Sequence, residues 1–298
     1  MDASGSAAFR HDGRYQRIIE NIKQLPALPL IVNRLIKVVN SPDTSAEDAA
    51  DLIEKDPALT AKVLRLANSA FYGMPRSISS VSSAVVILGF NTLKSLVLSA
   101  SVINMFPSTG PKIAFDRLRF WKHSIVCAMV ARTIAQHIIG ITFMDPQSAF
   151  CAGIMHDIGK LIFELFTPVE YAAVCRQSQE NGMSLVEAEA SVMGITHAQI
   201  GHILADKWAL PIELEAAIVH HHEPQAEKSI RELVTTVHLA DGITHHLNCG
   251  LWDEEALPAE WANARGLLCI DDQEYQRLTA SLKNEIDKYK EFFSIISA

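Results

Sequence analysis

The run Ala152-Gly153-Ile154-Met155-His156-Asp157-Ile158-Gly159-Lys160 sets a histidine, an aspartate and a lysine into an otherwise apolar stretch. Asp145-Pro146 lies just upstream. It is an N-cap residue followed by proline at the first helical position, and the pattern predicts one helix over 146–166. On a regular helix adjacent side chains diverge by about one hundred degrees. His156 and Asp157 then reach a common ion only if it lies off the helix flank and other helices close the shell. Lys160 falls one turn on from both, placed to meet an anionic ligand or to pair with Asp157. Burying such a pair is costly unless it is satisfied. By itself it fits two descriptions, a hydrogen-bonded polar couple or the beginning of a metal site.

The flanking sequence is helical in pattern. From Arg17 to about Val39, the residues Ile18, Ile22, Leu30, Leu35, Ile36 and Val39 mark two helices separated by a Pro26–Pro29 bend. Thr44-x-x-Glu47 has the form of a capping box that opens a helix to about Glu54. Asp56-Pro57 restarts the chain, with Leu59, Val63, Leu66, Ala67 and Ala70 along one side. Ser80 caps the next helix, Gly89 ends it, and Asn91 opens another that runs to about Phe106. Further helices are predicted at about 115–138, 168–181, 184–192, 196–208, 211–221, 229–247 and 272–296. The last carries Tyr275, Leu278, Leu282, Ile286, Tyr289, Phe293 and Ile296 at 3/4 spacing. Such a stripe suits either the chain's own core or a homodimer seam. The rhythm of 46–105 also has the outline of a DNA-binding helix-turn-helix. Its recognition helix, 57–70, would offer only Lys62, Arg65 and Asn68, so a compact helical bundle is the better description.

Composition narrows the function classes. Of 298 residues, 49% are hydrophobic and 20% charged, enough apolar side chain for a sizeable core. The net charge is −8 and no run of Lys or Arg occurs, which disfavours a phosphate-tracking surface for nucleic acid. The five cysteines, at 127, 151, 175, 249 and 269, are odd in number and form no Cys-x-x-Cys pair. They read as buried thiols of a reducing compartment. Met1 to Arg14 lacks the apolar core of a signal peptide. The apolar stretches 84–106 and 149–166 are interrupted by polar residues and fall short of the roughly 20 needed to cross a bilayer. A cytoplasmic protein without membrane contact is expected.

Nine of the twelve histidines fall between residues 156 and 246. His123 lies in the long helix before the His-Asp pair, His197 begins a helix, His220-His221-His222 ends one, and Asp241 lies in Val237-His-Leu-Ala-Asp241-Gly. Imidazole and carboxylate groups on separate helices are the parts of a bundle-core metal site. With no thiolate involved, the set suits iron, manganese or zinc more than calcium. The triplet fits a solvated helix end as well, where a cationic histidine complements the helix dipole.

The order His123, His156-Asp157, Asp241 resembles the H…HD…D signature of the HD phosphohydrolase superfamily. There the four residues hold a metal that activates water against a phosphoester. Leu25-Pro-Ala-Leu-Pro29, the run from Asp56-Pro57 through Asn68-Ser69 to Tyr72-Gly73, Leu88-Gly89 and Trp208-Ala-Leu-Pro211 are similar to the HDOD family in particular. That similarity covers about residues 20–225. The second half further resembles the HD-GYP phosphodiesterases. Their HDIGK run is identical to His156–Lys160, their HxxxG helix matches His197 to Gly201, and their HHE matches His221-His222-Glu223. The comparison implies that His197, His221 and His222 complete a second metal position, with Asp157 as the bridge. Two departures stand out. The GYP segment is replaced by Pro224-Gln225-Ala226-Glu227, and Arg119 stands one turn before His123, where some relatives place a carboxylate ligand. Both count against cyclic-di-GMP hydrolysis and against a third ion.

The expected fold is all-α. A disordered N-terminus covers 1–14, an N-terminal helical lobe covers 15–110 and packs against an HD-like lobe over 111–247, and a C-terminal helical extension covers 248–298. The resemblance implies a bacterial signal-transduction module acting through a signalling protein partner. It implies one or two divalent transition ions held by His123, His156, Asp157, His197, His221, His222 and Asp241. The competing expectation is a metal-dependent phosphohydrolase on a nucleotide or other phosphoester. In it Asp157 and Lys160 are the catalytic pair, the ions polarise phosphoryl oxygen, and Lys160 steadies the developing charge. No Gly-rich phosphate loop or Arg cluster is present to read such a substrate. Nucleic-acid recognition through the N-terminal lobe is the third and weakest reading.

Overall fold

Caps and prolines cut this chain into short helices, and close backbone contacts between them position the histidines. The computed structural model describes residues 13–39, 44–107, 113–137, 144–247 and 260–296. Residues 1–12, Cys249 and the side chains of Ile36, Val39, Ile286 and Tyr289 lie outside the described set. The described residues are all-α, without a strand. First come α1 (Gly13–Gln24), α2 (Leu30–Val39), α3 (Ala46–Ile53), α4 (Pro57–Ala67), α5 (Val81–Leu88) and α6 (Phe90–Met105). Then follow α7 (Arg117–His137), α8 (Pro146–Met155), α9 (Ile158–Phe166), α10 (Pro168–Asn181), α11 (Leu185–Val192), α12 (His197–Lys207), α13 (Ile212–His220) and α14 (Arg231–His246). The chain closes with α15 (Glu260–Leu267) and α16 (Asp272–Ile296). Among these residues no helix is long and apolar enough to cross a membrane.

Local chemistry explains most of the boundaries. Asp56 Oδ1 accepts from the Ala58 and Leu59 N–H groups at 3.0 Å each, ahead of Pro57. Ser80 and Asp145 cap α5 and α8 as expected. The capping box of α3 lies one residue later than predicted. Ser45 Oγ accepts from the Asp48 N–H at 3.1 Å, and Asp48 Oδ2 accepts from the Ser45 N–H at 2.9 Å. Aspartate serves here where the motif favours glutamate, and Ala49, Ala50 and Ile53 turn inward. α15 carries no prediction; among its described side chains Ala264 is the buried one, and one such residue shows no period. Of the cysteines, 127, 151 and 175 are buried, but Cys269 is exposed. It occupies the turn between α15 and α16, with a φ of 56°.

The predicted helix over 146–166 is in fact two. α8 ends at Met155 and α9 begins at Ile158, with Asp157 at φ −97°, ψ 7° between them. The Lys160 N–H takes the Asp157 carbonyl at 2.9 Å, one residue tighter than a regular turn. Because residues 149–164 are buried on every side, periodicity could not reveal the break.

α8 lies along α7, and α14 packs on both. Gly153 allows the first approach, since a Cβ there would stand 2.5 Å from the Ala128 Cα. α9 meets α12 across Gly159, where a Cβ would stand 1.9 Å from the His197 carbonyl oxygen. α1 packs on α9 and α12, and Trp208 Nε1 donates to the Pro26 carbonyl at 3.1 Å. α6 joins α2, α4 and α5 to α8. α16 lies on α4 and α7, with Phe292 against Phe71 and Phe150. Leu278, Leu282 and Ile296 of the C-terminal stripe are thereby buried within this chain. Lys62 Nζ donates to Asn104 Oδ1 at 2.8 Å and to the Ile296 carbonyl at 3.1 Å. Asn68 is clasped to the Ile78 backbone through both side-chain atoms. Two of the three groups that a recognition helix would have used are engaged inside the protein.

Replacing Gly159 by alanine tests the α9–α12 contact. Backbone atoms surround the missing Cβ, so Gly159→Ala should cost about 3 kcal/mol or more in urea denaturation. Gly266→Ala, which meets nothing within 4 Å, should leave stability unchanged or raise it by up to about 1 kcal/mol. Equal behaviour of the two variants would refute the tight packing.

Candidate metal centre

Six helices deliver the polar residues to one place. α7 brings His123, the α8–α9 break brings His156 and Asp157, and α9 brings Lys160. The start of α12 brings His197, the end of α13 brings His221 and His222, and α14 brings Asp241. His123, His156, Asp157, His197 and His221 are 0 or 1% exposed, whereas the Asp241 side chain is 18% exposed. His222 is partly exposed as well, so solvent reaches the cluster from the α14 side and from the end of α13. His220, first of the triplet, is partly exposed, 3.9 Å from Glu227.

Asp157 links two groups of histidines. Its Oδ1 lies 3.2 Å from His197 Nε2 and 3.6 Å from His221 Nε2. Its Oδ2 lies 3.3 Å from His156 Nε2, 3.5 Å from His123 Nε2 and 2.6 Å from Lys160 Nζ. Asp241 Oδ1 approaches His123 Nε2 at 3.0 Å and His156 Nε2 at 3.6 Å. Asp157, His197, His221 and His222 form one set whose donor atoms all lie within 4.8 Å of one another, and His123, His156 and Asp157 form a second. All the sequence-predicted residues come together here; Arg119 is not part of either set.

The outward ring nitrogens are tied down. His156 Nδ1 donates to the Gly153 carbonyl at 2.8 Å, and His221 Nδ1 donates to the Ala217 and Ile218 carbonyls at 3.0 and 3.1 Å. His197 Nδ1 donates to Glu189 Oε2 at 2.7 Å. A carbonyl or carboxylate oxygen can only accept, so these contacts fix each Nδ1 as the proton carrier and turn Nε2 inward. Partners of this kind orient histidine ligands at metal sites. Glu189 was missed by the sequence reading. It also accepts from the His197 N–H and the Tyr171 hydroxyl at 2.7 Å each. A signal was present: Leu185, Ala188 and Glu189 share the buried face of α11, so a carboxylate stands in a core position.

The inner face is not satisfied by hydrogen bonds. His156 Nε2, both ring nitrogens of His123, Asp157 Oδ1 and Asp241 Oδ1 are buried and receive none. His197 Nε2 faces His222 Nε2 at 2.9 Å, His221 Nε2 at 3.3 Å and Asp157 Oδ1 at 3.2 Å. A single proton on His197 serves only one of those three acceptors at a time. Ligand bonds of 2.0–2.2 Å place neighbouring donor atoms roughly 3–3.6 Å apart around one ion, and the His197, His221 and Asp157 donors stand 3.2–3.6 Å apart. The residues fit a divalent cation.

Electrostatics follow from burial and neighbours. Burial pushes the Asp157 carboxyl up, but the His156 and Lys160 charges override it and hold it well below the usual carboxylate range. Burial likewise opposes the charge on His156, yet Asp157 keeps it well above the ordinary imidazole value. His197 is raised against its burial by Glu189. Burial pushes His123 and His221 down to about 4, and His222 falls well below its ordinary value through burial and the neighbouring imidazoles. Cys127 approaches His156 and Asp241, but burial raises its pKa, so it stays a neutral thiol.

The sequence matches the HDOD domain family over residues 25–224. The chain belongs to the HDOD domain family; Asp241 lies beyond the matched segment. An HDOD domain protein of unknown function from Geobacter sulfurreducens has the same fold, with a TM-score of 0.76, 26% identity and coverage of 95% of this chain and 97% of that one. A Shewanella amazonensis protein provisionally named a phosphohydrolase superposes with a TM-score of 0.73 at 26% identity, over 96% and 99% of the two chains. An uncharacterised protein of Treponema pallidum (strain Nichols) is 27% identical over 225 residues, 75% of this chain. This chain spans 43% of that relative's length.

Glu189 supplies a direct test of the supporting layer. Glu189→Ala leaves the Tyr171 hydroxyl and two donors of His197 without their acceptor in a dry interior. The metal-free protein should lose about 3 kcal/mol or more in chemical denaturation. Glu189→Gln, which keeps the volume and one acceptor, should lose less. An alanine variant as stable as the parent would remove Glu189 from this role.

Proposed function

We propose that this chain is a signal-transduction module whose His/Asp cluster holds one or two divalent transition ions, iron, manganese or zinc, and passes its output to a protein partner. The observation that carries the metal is the convergence of the His197 and His221 Nε2 atoms on Asp157 Oδ1, with His222 Nε2 beside His197 Nε2 and the Nδ1 of His197 and of His221 bonded outward. Depth in the core argues for a structural or regulatory ion. The groups nearest Asp157 are almost fully buried, and Lys160 is bound to Asp157. His197, His221 and His222 with Asp157 would hold one ion; His123, His156 and Asp241 with Asp157 would hold the other.

One feature favours the second reading, a metal-dependent phosphohydrolase. The two oxygens of Asp157 face different histidine sets, the arrangement by which a carboxylate bridges a pair of ions. Two ions held there by Asp157 and the histidines would polarise a phosphoryl oxygen and lower the pKa of bound water. The Shewanella neighbour's provisional name points the same way.

Metal analysis of the purified full chain after reconstitution with Zn2+, Mn2+ or Fe2+ tests the first claim. One or two ions per chain are expected, and His197→Ala with His221→Ala should remove at least one. A wild-type protein that stays metal-free reduces the cluster to a polar core network. Affinity should rise with pH. Metal needs neutral imidazoles, whereas His156 and His197 are raised above the ordinary imidazole value, so binding releases protons and weakens as pH falls. Calorimetry in buffers of different ionisation enthalpy reads that release. Hydrolysis of a phosphoester panel decides between the readings: turnover abolished by His156→Ala with Asp157→Ala would establish the enzyme.

A further inference from the structure

Asp241 has a partner that lies outside both donor sets described above. His245 follows it by one turn on α14, so the two side chains share a helix face. His245 Nε2 lies 3.5 Å from Asp241 Oδ1, and its ring centroid lies 5.0 Å from that of His123. Donor atoms of His123, Asp241 and His245 all fall within 4.8 Å of one another. His123 is fully buried and neither of its ring nitrogens has a hydrogen-bond partner. A buried imidazole without a partner, facing a carboxylate and a second imidazole, is what a cation between them would resolve.

We propose that His245 is a protein ligand of the ion held by His123 and Asp241. The inference rests on the metal reading above and goes further, because it assigns the group on the solvent side. His123 is wholly enclosed, while the side chains of Asp241 and His245 are 18% and 15% exposed. His245 thus stands where water would otherwise complete the coordination shell. A structural site is closed by protein ligands, whereas a catalytic one keeps a position open. With His245 bound, this end of the cluster is of the closed kind. Ion entry from the α14 side then requires the His245 ring to swing aside first.

Mn2+ binding to the full chain provides the test, with free Mn2+ counted by electron paramagnetic resonance and coordinated water by proton relaxation. His245→Ala and His245→Gln should each weaken one Mn2+ equivalent by about tenfold or more, and each should raise water relaxation per bound ion as water takes the vacated place. Glutamine can still hydrogen-bond Asp241 but is a poor ligand. Rescue of affinity and relaxation by His245→Gln would therefore show a residue that only orients Asp241, and would overturn the proposal. Unchanged binding and relaxation in both variants would overturn it too. If the wild-type chain binds no Mn2+, Zn2+ or Fe2+ at all, the metal centre itself falls, an outcome distinct from a failure confined to His245.

Discussion

The carboxylate of Asp157 sits deep in the protein with 1% of its surface exposed, and an ionised carboxylate there costs several kcal/mol unless opposite charge surrounds it. Lys160 Nζ at 2.6 Å answers part of that demand, and the neighbouring His156 and His197, both raised above the ordinary imidazole value by carboxylates, answer more. Each of these groups is itself buried and depends on Asp157 in return. Removing any one leaves the others with unbalanced charge, so the cluster stands or falls as a unit. The helices that carry it, α7, α8, α9, α12, α13 and α14, are held in register by this mutual requirement as well as by their apolar faces.

Geometry at the backbone makes the arrangement reachable. A continuous helix would send His156 and Asp157 apart; the break between α8 and α9 lets both face the same centre. Gly159, two residues on, then brings α9 against the first turn of α12 closely enough that any Cβ would strike the His197 carbonyl. Gly201 receives Ile218 of α13 where a Cβ would lie 2.5 Å from its Cγ2. The glycines of the two motifs thus serve distance. They set how near His197 and His221 come to Asp157, while Glu189 and the Ala217 carbonyl set how their rings turn.

Much of this was legible in the sequence because the signals are local or ordered. Asp56-Pro57, Ser80 and Asp145-Pro146 announce helix starts through their own side chains. The seven proposed ligands stand out because imidazole and carboxylate are rare within apolar helices. What was not legible is long-range or hidden by uniform burial. Residues 149–164 are buried on all faces, so no period could betray the break. Glu189 was passed over as an ordinary helical glutamate, although it occupies a core position beside Leu185 and Ala188. The C-terminal stripe left two destinations open, and only the contacts of Phe292 and the Lys62 bond to the Ile296 carbonyl show it docked on its own chain.

Burial also bears on what such a centre can do. Catalysis at an ion needs a substrate oxygen within bonding distance, and the ion therefore needs a face not covered by protein. Here exposure rises from nothing at His156 and His197 to a modest fraction at Asp241 and His245 on α14 and at His222 at the end of α13, so an approach can come only over those two edges. α14 lies mostly beyond the segment matched to the family and leads toward the C-terminal helices that pack on α7 and α14. A change in how those helices sit would move Asp241 relative to His123 and so alter ion affinity. By reciprocity, ion binding would bias their position. On the proposed reading, a metal site where α14 meets the C-terminal helices would let occupancy bias their position.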